Sequence, residues 1–291
     1  MADIIKPARL TELLSRPQIT YPAWIEPVIL PKGGVAIFGG HSKIGKSFIA
    51  LEMGRAVATG DFLFGFREFR AAEGRVLYLE REIGEYGLQT RGLKVFAGEN
   101  LDRIADNVWY VSQDPSLDLD THAGVQIIGD HIAATGANVV ILDPISHMHS
   151  GDENDNTQMN KLFSAIEYLR HQFRNQGLSF VIAHHFGKPP NGKHADGYDH
   201  LSMHNFRGAG KFASAPDTIC TAWRCEELNL PWEAWRLKLR WRCRQGESPG
   251  EMYLTVNQNQ DLRVRWERMA LENRVKPQET GFRAPKFSPG T

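Results

Sequence analysis

The sequence predicts an α/β protein with a mostly parallel central sheet, helices on both faces and antiparallel strands at the C-terminal edge. Three observations carry that prediction. Short apolar runs alternate with stretches of helical periodicity from Val35 to Phe180, the rhythm of βαβ units. A glycine-rich turn, Gly40-His41-Ser42-Lys43-Ile44-Gly45-Lys46-Ser47, separates the first apolar run from the first helical pattern. From Thr218 onward the runs alternate apolar and polar residues and are joined by tight connections, which suits antiparallel strands.

In chain order, strands are predicted near Val35 to Phe38, Arg75 to Leu79, Val108 to Val111, Asn138 to Leu142 and Phe180 to His184. Between them Ile49, Met53 and Val57 recur at four-residue spacing, and Val125, Ile128 and Ile132 make a second stripe. Met159, Leu162, Phe163, Ile166, Leu169 and Phe173 make the clearest stripe, and that helix is expected to stop at Gly177. The stretch from Gly187 to Lys211 carries several glycines, two adjacent prolines and almost no periodicity, and is expected to be a mobile loop beside the site. Thr218 to Trp223, Trp235 to Arg244, Glu251 to Val256 and Asp261 to Trp266 complete the strands. Residues 1–30 are expected as an N-terminal arm, 31–268 as the folded domain and 269–291 as a disordered or docking tail.

Composition bounds the function. At 291 residues the chain can bury about three quarters of the surface its unfolded form exposes, so it needs no staples. Lys plus Arg and Asp plus Glu both number 34, which excludes a protein that holds nucleic acid or an anionic membrane by overall charge and leaves only local patches. The three cysteines, Cys220, Cys225 and Cys243, are too few and too clustered for a disulfide framework, and a reducing cytoplasm fits them best. The N-terminus lacks the pattern of a signal peptide, and no apolar run reaches the length of a transmembrane helix, so no membrane role is expected.

Residues 40–47 match GxxxxGK[ST] in the strand-to-helix context that gives the pattern its chemistry. Its glycines let the backbone curl so that successive N–H groups and a helix N-terminus face phosphates. Lys46 would neutralise charge between the β and γ groups, and Ser47 would offer its hydroxyl to Mg2+. Asp143 ends the buried run Asn138-Val-Val-Ile-Leu, where ligands of open α/β sheets bind, and is the natural partner of that metal. A carboxylate is also needed to orient or deprotonate the attacking water, and Val76-Leu-Tyr-Leu-Glu80-Arg-Glu82 supplies two candidates. No NKxD pattern accompanies the motif, which argues against GTP.

Together these residues resemble the RecA-like branch of P-loop ATPases, specifically the plasmid replicative helicases of the RepA type and their AAA_25 relatives. The resemblance runs from about Trp24 to Val256 through WIEPVILPKGGVAIFGGHSKIGKS, VLYLERE, VVILDPI with GDENDN, AHHFGK and RGAGKFASAPDTI. It implies ATP with Mg2+ as the cofactors and Glu82 as the catalytic base. It also implies that His184 and His185 sense the γ-phosphate and couple it to DNA-facing loops. The P-loop interior His41-Ser42-Lys43-Ile44 departs from the Gly/Pro-rich versions common in that family.

Trp235 to Arg244 alternates without a fault, with Arg236, Lys238, Arg240, Arg242 and Arg244 on one face and Trp235, Leu237, Leu239, Trp241 and Cys243 on the other. A solvated edge strand and a reach into a neighbouring subunit are both compatible with that stripe. Arg242-Cys243-Arg244 before Gln245-Gly246 resembles the Lys-x-Arg arginine fingers of RecA-like hexameric helicases, and Arg207 is a further candidate. Five histidines fall between His184 and His204, in spacings that match no zinc-ligand pattern. The Gly187-to-Lys211 loop mixes Lys, Arg, Tyr and Phe in a manner suited to phosphate contact and base stacking. The resemblance implies an ATP-hydrolysing, ring-forming motor, a hexamer in the family's manner, acting on single-stranded DNA. Its rivals are a regulatory ATPase controlling a protein partner and a nucleotide-gated DNA-binding protein without translocation.

Overall fold

In a computed structural model the chain is described at residues 7, 9–17, 22–153, 155–187, 199–206, 209–225, 234–258 and 264–268. A two-stranded hairpin, β1 (Ala23–Ile25) with β2 (Leu30–Pro31), precedes the main sheet. That sheet contains β3 (Val35–Gly40), β4 (Val76–Glu80), β5 (Val108–Ser112), β6 (Val139–Asp143), β7 (Ser179–His185), β8 (Thr218–Cys225), β9 (Ala234–Cys243), β10 (Glu251–Gln258) and β11 (Val264–Arg268). Across it the nine strands run β11-β10-β9-β8-β3-β7-β6-β4-β5. The β8-to-β5 part is parallel, and β9, β10 and β11 are added antiparallel at one edge. The helices are α1 (Leu10–Leu14), α2 (Lys46–Thr59), α3 (Gly84–Val95), α4 (His122–Thr135), α5 (Asn156–Gln172) and α6 (Ala209–Ser214).

Alternation along each strand divides the core in two. Ala36, Phe38, Val76, Tyr78, Val139, Ile141 and Val181 face α2 and α3, whereas Ile37, Leu77, Leu79, Val140, Leu142, Phe180 and Ile182 face α4 and α5. α2 is buried on nearly every side, so its Ile49, Met53 and Val57 stripe understates its burial, which extends to the ion pair Glu52–Arg55 at 2.8 Å. α4 and α5 start from Thr121 and Asp155, whose side chains accept from Gly124 N–H and Thr157 N–H. The α5 stripe ends at Gln172, and a single 3₁₀ turn, Arg174–Gln176, carries the chain to Gly177 at φ 62°.

Two elements escape the sequence reading. Residues 23–30, at the end of the expected N-terminal arm, pack into the core: Ile25, Ile29 and Leu30 are fully buried, and Trp24 Nε1 donates to the Gly177 carbonyl at 2.8 Å. α3 was not predicted, because among its residues only Gly84, Leu88 and Val95 are buried and its glycines dilute any stripe. On β9, Leu237, Leu239 and Trp241 enter the core, with Trp241 edge-on to Phe38 at 5.5 Å. The opposite face is not the unopposed cationic surface that the alternation suggested. Lys238 pairs with Glu251 at 2.8 Å, and Arg240 pairs with Glu251 at 2.7 Å and with Asp199 at 2.5 Å. Among the described residues no helix is long and apolar enough to cross a membrane. The tail 269–291, Arg207, Lys188, Lys193, His194 and Tyr198 lie outside the described residues.

Candidate nucleotide site

The C-terminal ends of the parallel strands gather the candidate chemistry. β3 delivers Gly40, and the turn through His41, Ser42, Lys43 and Ile44 reaches Gly45, which takes φ 96° immediately before α2. Only glycine takes that conformation at no steric cost, and Lys43 shares the left-handed region at φ 64°. Gly40 is also closely covered: a Cβ there would run into Ile44 and approach the Ala222 carbonyl to 2.9 Å.

Lys46, buried, sends Nζ to the carbonyls of Gly40 at 3.1 Å and His41 at 2.9 Å, and lies 3.2 Å from His185 Nδ1. Burial draws its pKa down to about 8, although Asp143 and Glu82 act to raise it. Asp143 is buried at the end of β6, and burial pushes its pKa up against hydrogen bonds from Tyr78 and Ser47 and the charges of Arg91 and Lys46. Ser47 and Asp143 therefore form an adjoining hydroxyl and carboxylate. That all-oxygen donor pair fits Mg2+, which takes few protein ligands and completes its shell with water and phosphate oxygens.

The two glutamates are treated differently. Glu80 is 0% exposed and accepts from the N–H groups of Glu82, Ile83 and Gly84 and from Ser112 Oγ, so its carboxylate is consumed in shaping the turn after β4. Glu82 is exposed on that turn and close enough to Lys46 to bear on its charge. The Glu80 oxygens are taken up by these donors, which leaves Glu82 as the carboxylate of the two that is open to water.

The adjacent histidines part company for the same reason that strand neighbours do. His185 turns toward Lys46, whereas His184 is 0% exposed on the other face, stacked on Phe212 at 4.0 Å with Nδ1 3.9 Å from Glu153. The structure thus brings His185, but not His184, to the phosphate loop. Arg242 and Arg244 lie at the opposite end of the sheet: Arg242 pairs with Ile219, and Arg244 N–H donates to the Asp217 carbonyl at 2.7 Å beside the start of β3. Both stand toward the end of the sheet away from Lys46. Arg242 Nη1 lies 3.3 Å from Met203 Sδ, and Arg244 donates to the Ser214 carbonyl.

Tyr78 and Arg91 were missed by sequence reasoning. Tyr78 hydroxyl donates to Asp143, and its own pKa is held well above the ordinary value by burial first and then by that carboxylate. A signal existed, since Val76, Tyr78 and Glu80 share a phase and hence a face. Arg91 had none: it reaches back from the unpredicted α3, with its guanidinium 5.8 Å from the Phe48 ring.

Comparison with known families matches the chain to the AAA domain model AAA_25 over residues 3–191. The match takes in the phosphate loop, β4, β6 and β7, and stops before β8. No curated protein matches the chain.

Proposed function

This chain belongs to the AAA_25 family of AAA-domain P-loop ATPases, and on that premise we propose that it is a ring-forming ATPase motor acting on single-stranded DNA, in the manner of a replicative helicase of a plasmid, phage or mobile element. The observation that carries the hydrolytic reading is the division of labour after β4: Glu80 is locked into the turn by its hydrogen bonds, and Glu82 stands exposed two residues further on, within electrostatic range of Lys46.

In this reading the N–H groups of residues 40–47 and the Lys46 ammonium bind the β- and γ-phosphates of ATP. Ser47 and Asp143 would hold Mg2+, which supplies charge neutralisation on the phosphates when bound. Tyr78 fixes the Asp143 carboxylate by donating to it. Glu82 accepts the proton of the attacking water, and the turn organised by Glu80 sets where Glu82 stands. His185, next to Lys46, is placed to register whether the γ-phosphate is present. His184 is assigned no contact with nucleotide and anchors the end of β7 against Phe212.

The motor part of the proposal is supported by position. Arg242 and Arg244 stand toward the end of the sheet away from their own phosphate loop and would complete a neighbour's site, so that hydrolysis would depend on a ring. A second reading, a regulatory ATPase that controls a protein partner, is favoured by the pairing of Lys238 and Arg240 with Asp199 and Glu251, which leaves β9 less cationic than a nucleic-acid surface.

ATP hydrolysis measured with and without single-stranded DNA, for wild type and Glu82→Gln at known assembly state, separates the two. Strong DNA stimulation that the substitution abolishes, by about 10²-fold or more, is the expected result. Hydrolysis indifferent to DNA would sink the motor and leave the regulatory ATPase.

A further inference from the structure

Lys46 has three N–H donors, and the structure gives each a neighbour: Gly40 O, His41 O and His185 Nδ1. A phosphate that takes up the ammonium must displace at least one of them. The His41 carbonyl, at 2.9 Å, belongs to a residue whose ring is gripped from two sides, edge-on to Phe186 at 5.6 Å and to Trp223 at 5.6 Å. Trp223 lies on β8 two residues beyond Thr221, the partner of Gly39, so it stands at the level of the phosphate loop.

The opposite neighbour of Trp223 is His200, stacked on the indole at 3.7 Å with an interplanar angle of 22°. His200 belongs to the segment 199–206, which is tied to the sheet by Thr221 Oγ1 donating to Leu201 O at 2.7 Å and by Asp199 with Arg240. The same segment returns to the phosphate loop through the Phe186–Phe206 bridge, whose rings close over Gly39 so tightly that a Cβ there would collide with both. Trp223 therefore touches the phosphate loop through one histidine and the segment 199–206 through another.

We propose that Trp223 is a positioning residue that couples occupancy of the phosphate loop to the placement of the segment 199–206, through the stack His41, Trp223, His200. Phosphate draws Lys46 away from His41, the imidazole resettles against the indole, and His200 moves with it. The coupling is reciprocal, so a partner that repositions 199–206 changes phosphate affinity by the same factor. The departure of the loop interior from Gly/Pro-rich versions then has a purpose at His41, since glycine or proline there would offer the indole no aromatic ring. The proposal rests on the phosphate loop binding ATP and does not require DNA.

The test follows ATP binding by calorimetry, while tryptophan emission and backbone amide exchange report on Trp223 and on 199–206. In wild type, ATP with Mg2+ should shift the emission component that Trp223→Phe removes, and should change amide exchange in 199–206 by about fivefold or more. His200→Ala should still bind ATP, with an affinity changed by no more than the coupling factor, and lose the exchange response, while His200→Phe, which retains a stacking ring, should restore it. If ATP binds but leaves Trp223 emission and 199–206 exchange unchanged, or if His200→Ala responds as wild type does, the coupling is wrong. Absence of ATP binding in the calorimeter would instead overturn the nucleotide-site reading, and the coupling with it.

Discussion

At one end of the central sheet the strands β3, β4, β6 and β7 converge on Lys46, Glu82, Asp143 and His185; at the other end β9 closes on Arg242 and Arg244 beside Asp217. The first end is built by burial. Parallel strands without exposed residues carry their last side chain to a common rim, and helix α2 starts from the same rim. The second end consists of antiparallel additions whose cations are half in solvent and whose bonds are to nearby carbonyls and a sulfur. In the proposed ring a single subunit would supply the phosphate loop, the metal pair and Glu82, and the arginines would act only where a second copy brings its phosphate site to them.

That comparison breaks most visibly with Arg242→Ala and Arg244→Ala. In the assembled protein, loss of whichever arginine acts on a neighbour's phosphate should lower turnover on the order of 10³-fold. Nucleotide affinity and melting temperature should hardly move, because neither guanidinium supports a buried group. Mixing each variant with Lys46→Ala subunits sharpens the result: an arginine acting in trans allows partial complementation, and one acting within its own subunit does not. Normal turnover in both variants would leave the far end of the sheet without a catalytic role.

The near end was largely legible in the sequence. GxxxxGK[ST] and the apolar runs before Glu80 and Asp143 depend on local patterns of burial and turn formation, which a single chain records in order. What escaped depends on neighbours that sequence order does not reveal. Pairing of Lys238 and Arg240 with Glu251 needs the β9–β10 register, and the stacking of His200 on Trp223 needs a loop folded back over β8. The split between His184 and His185 was available from strand alternation alone, but the resemblance led both to be read as one unit.

Within the near end, Glu80 and Glu82 supply the next test, because one substitution should act on structure and the other on chemistry. Glu80→Gln turns one acceptor oxygen into a donor facing the N–H groups of Glu82, Ile83 and Gly84, of which the last is buried. It should cost about 1–3 kcal/mol in chemical denaturation, with any loss of turnover following from a displaced turn. Glu82→Gln, on an exposed side chain, should leave the denaturation midpoint in place while turnover collapses. Equal stability of the two variants would mean that Glu80 does not organise the turn.

The smallest effect belongs to the ion pairs that hold the segment 199–206 against β9. Burial alone would raise Asp199, but the hydrogen bond from Arg240 and the N–H of Leu201 hold it below its ordinary value. Lys238 first, then Arg240 against partial burial, hold Glu251 below its own. Both carboxylates release protons more readily in the folded chain. Their contribution is therefore complete above the unfolded values and is lost as pH falls through the lower folded ones. Because Asp199 and Glu251 side chains are 50% and 33% exposed, solvent screening limits each pair to about 0.2–1 kcal/mol. Asp199→Asn should be that much less stable than wild type near neutrality, and the gap should narrow with added salt and close as the medium is acidified below about pH 4. A gap that persists in acid would mean that the ion pair with Arg240 is not its cause, since an asparagine there still accepts from the Leu201 N–H.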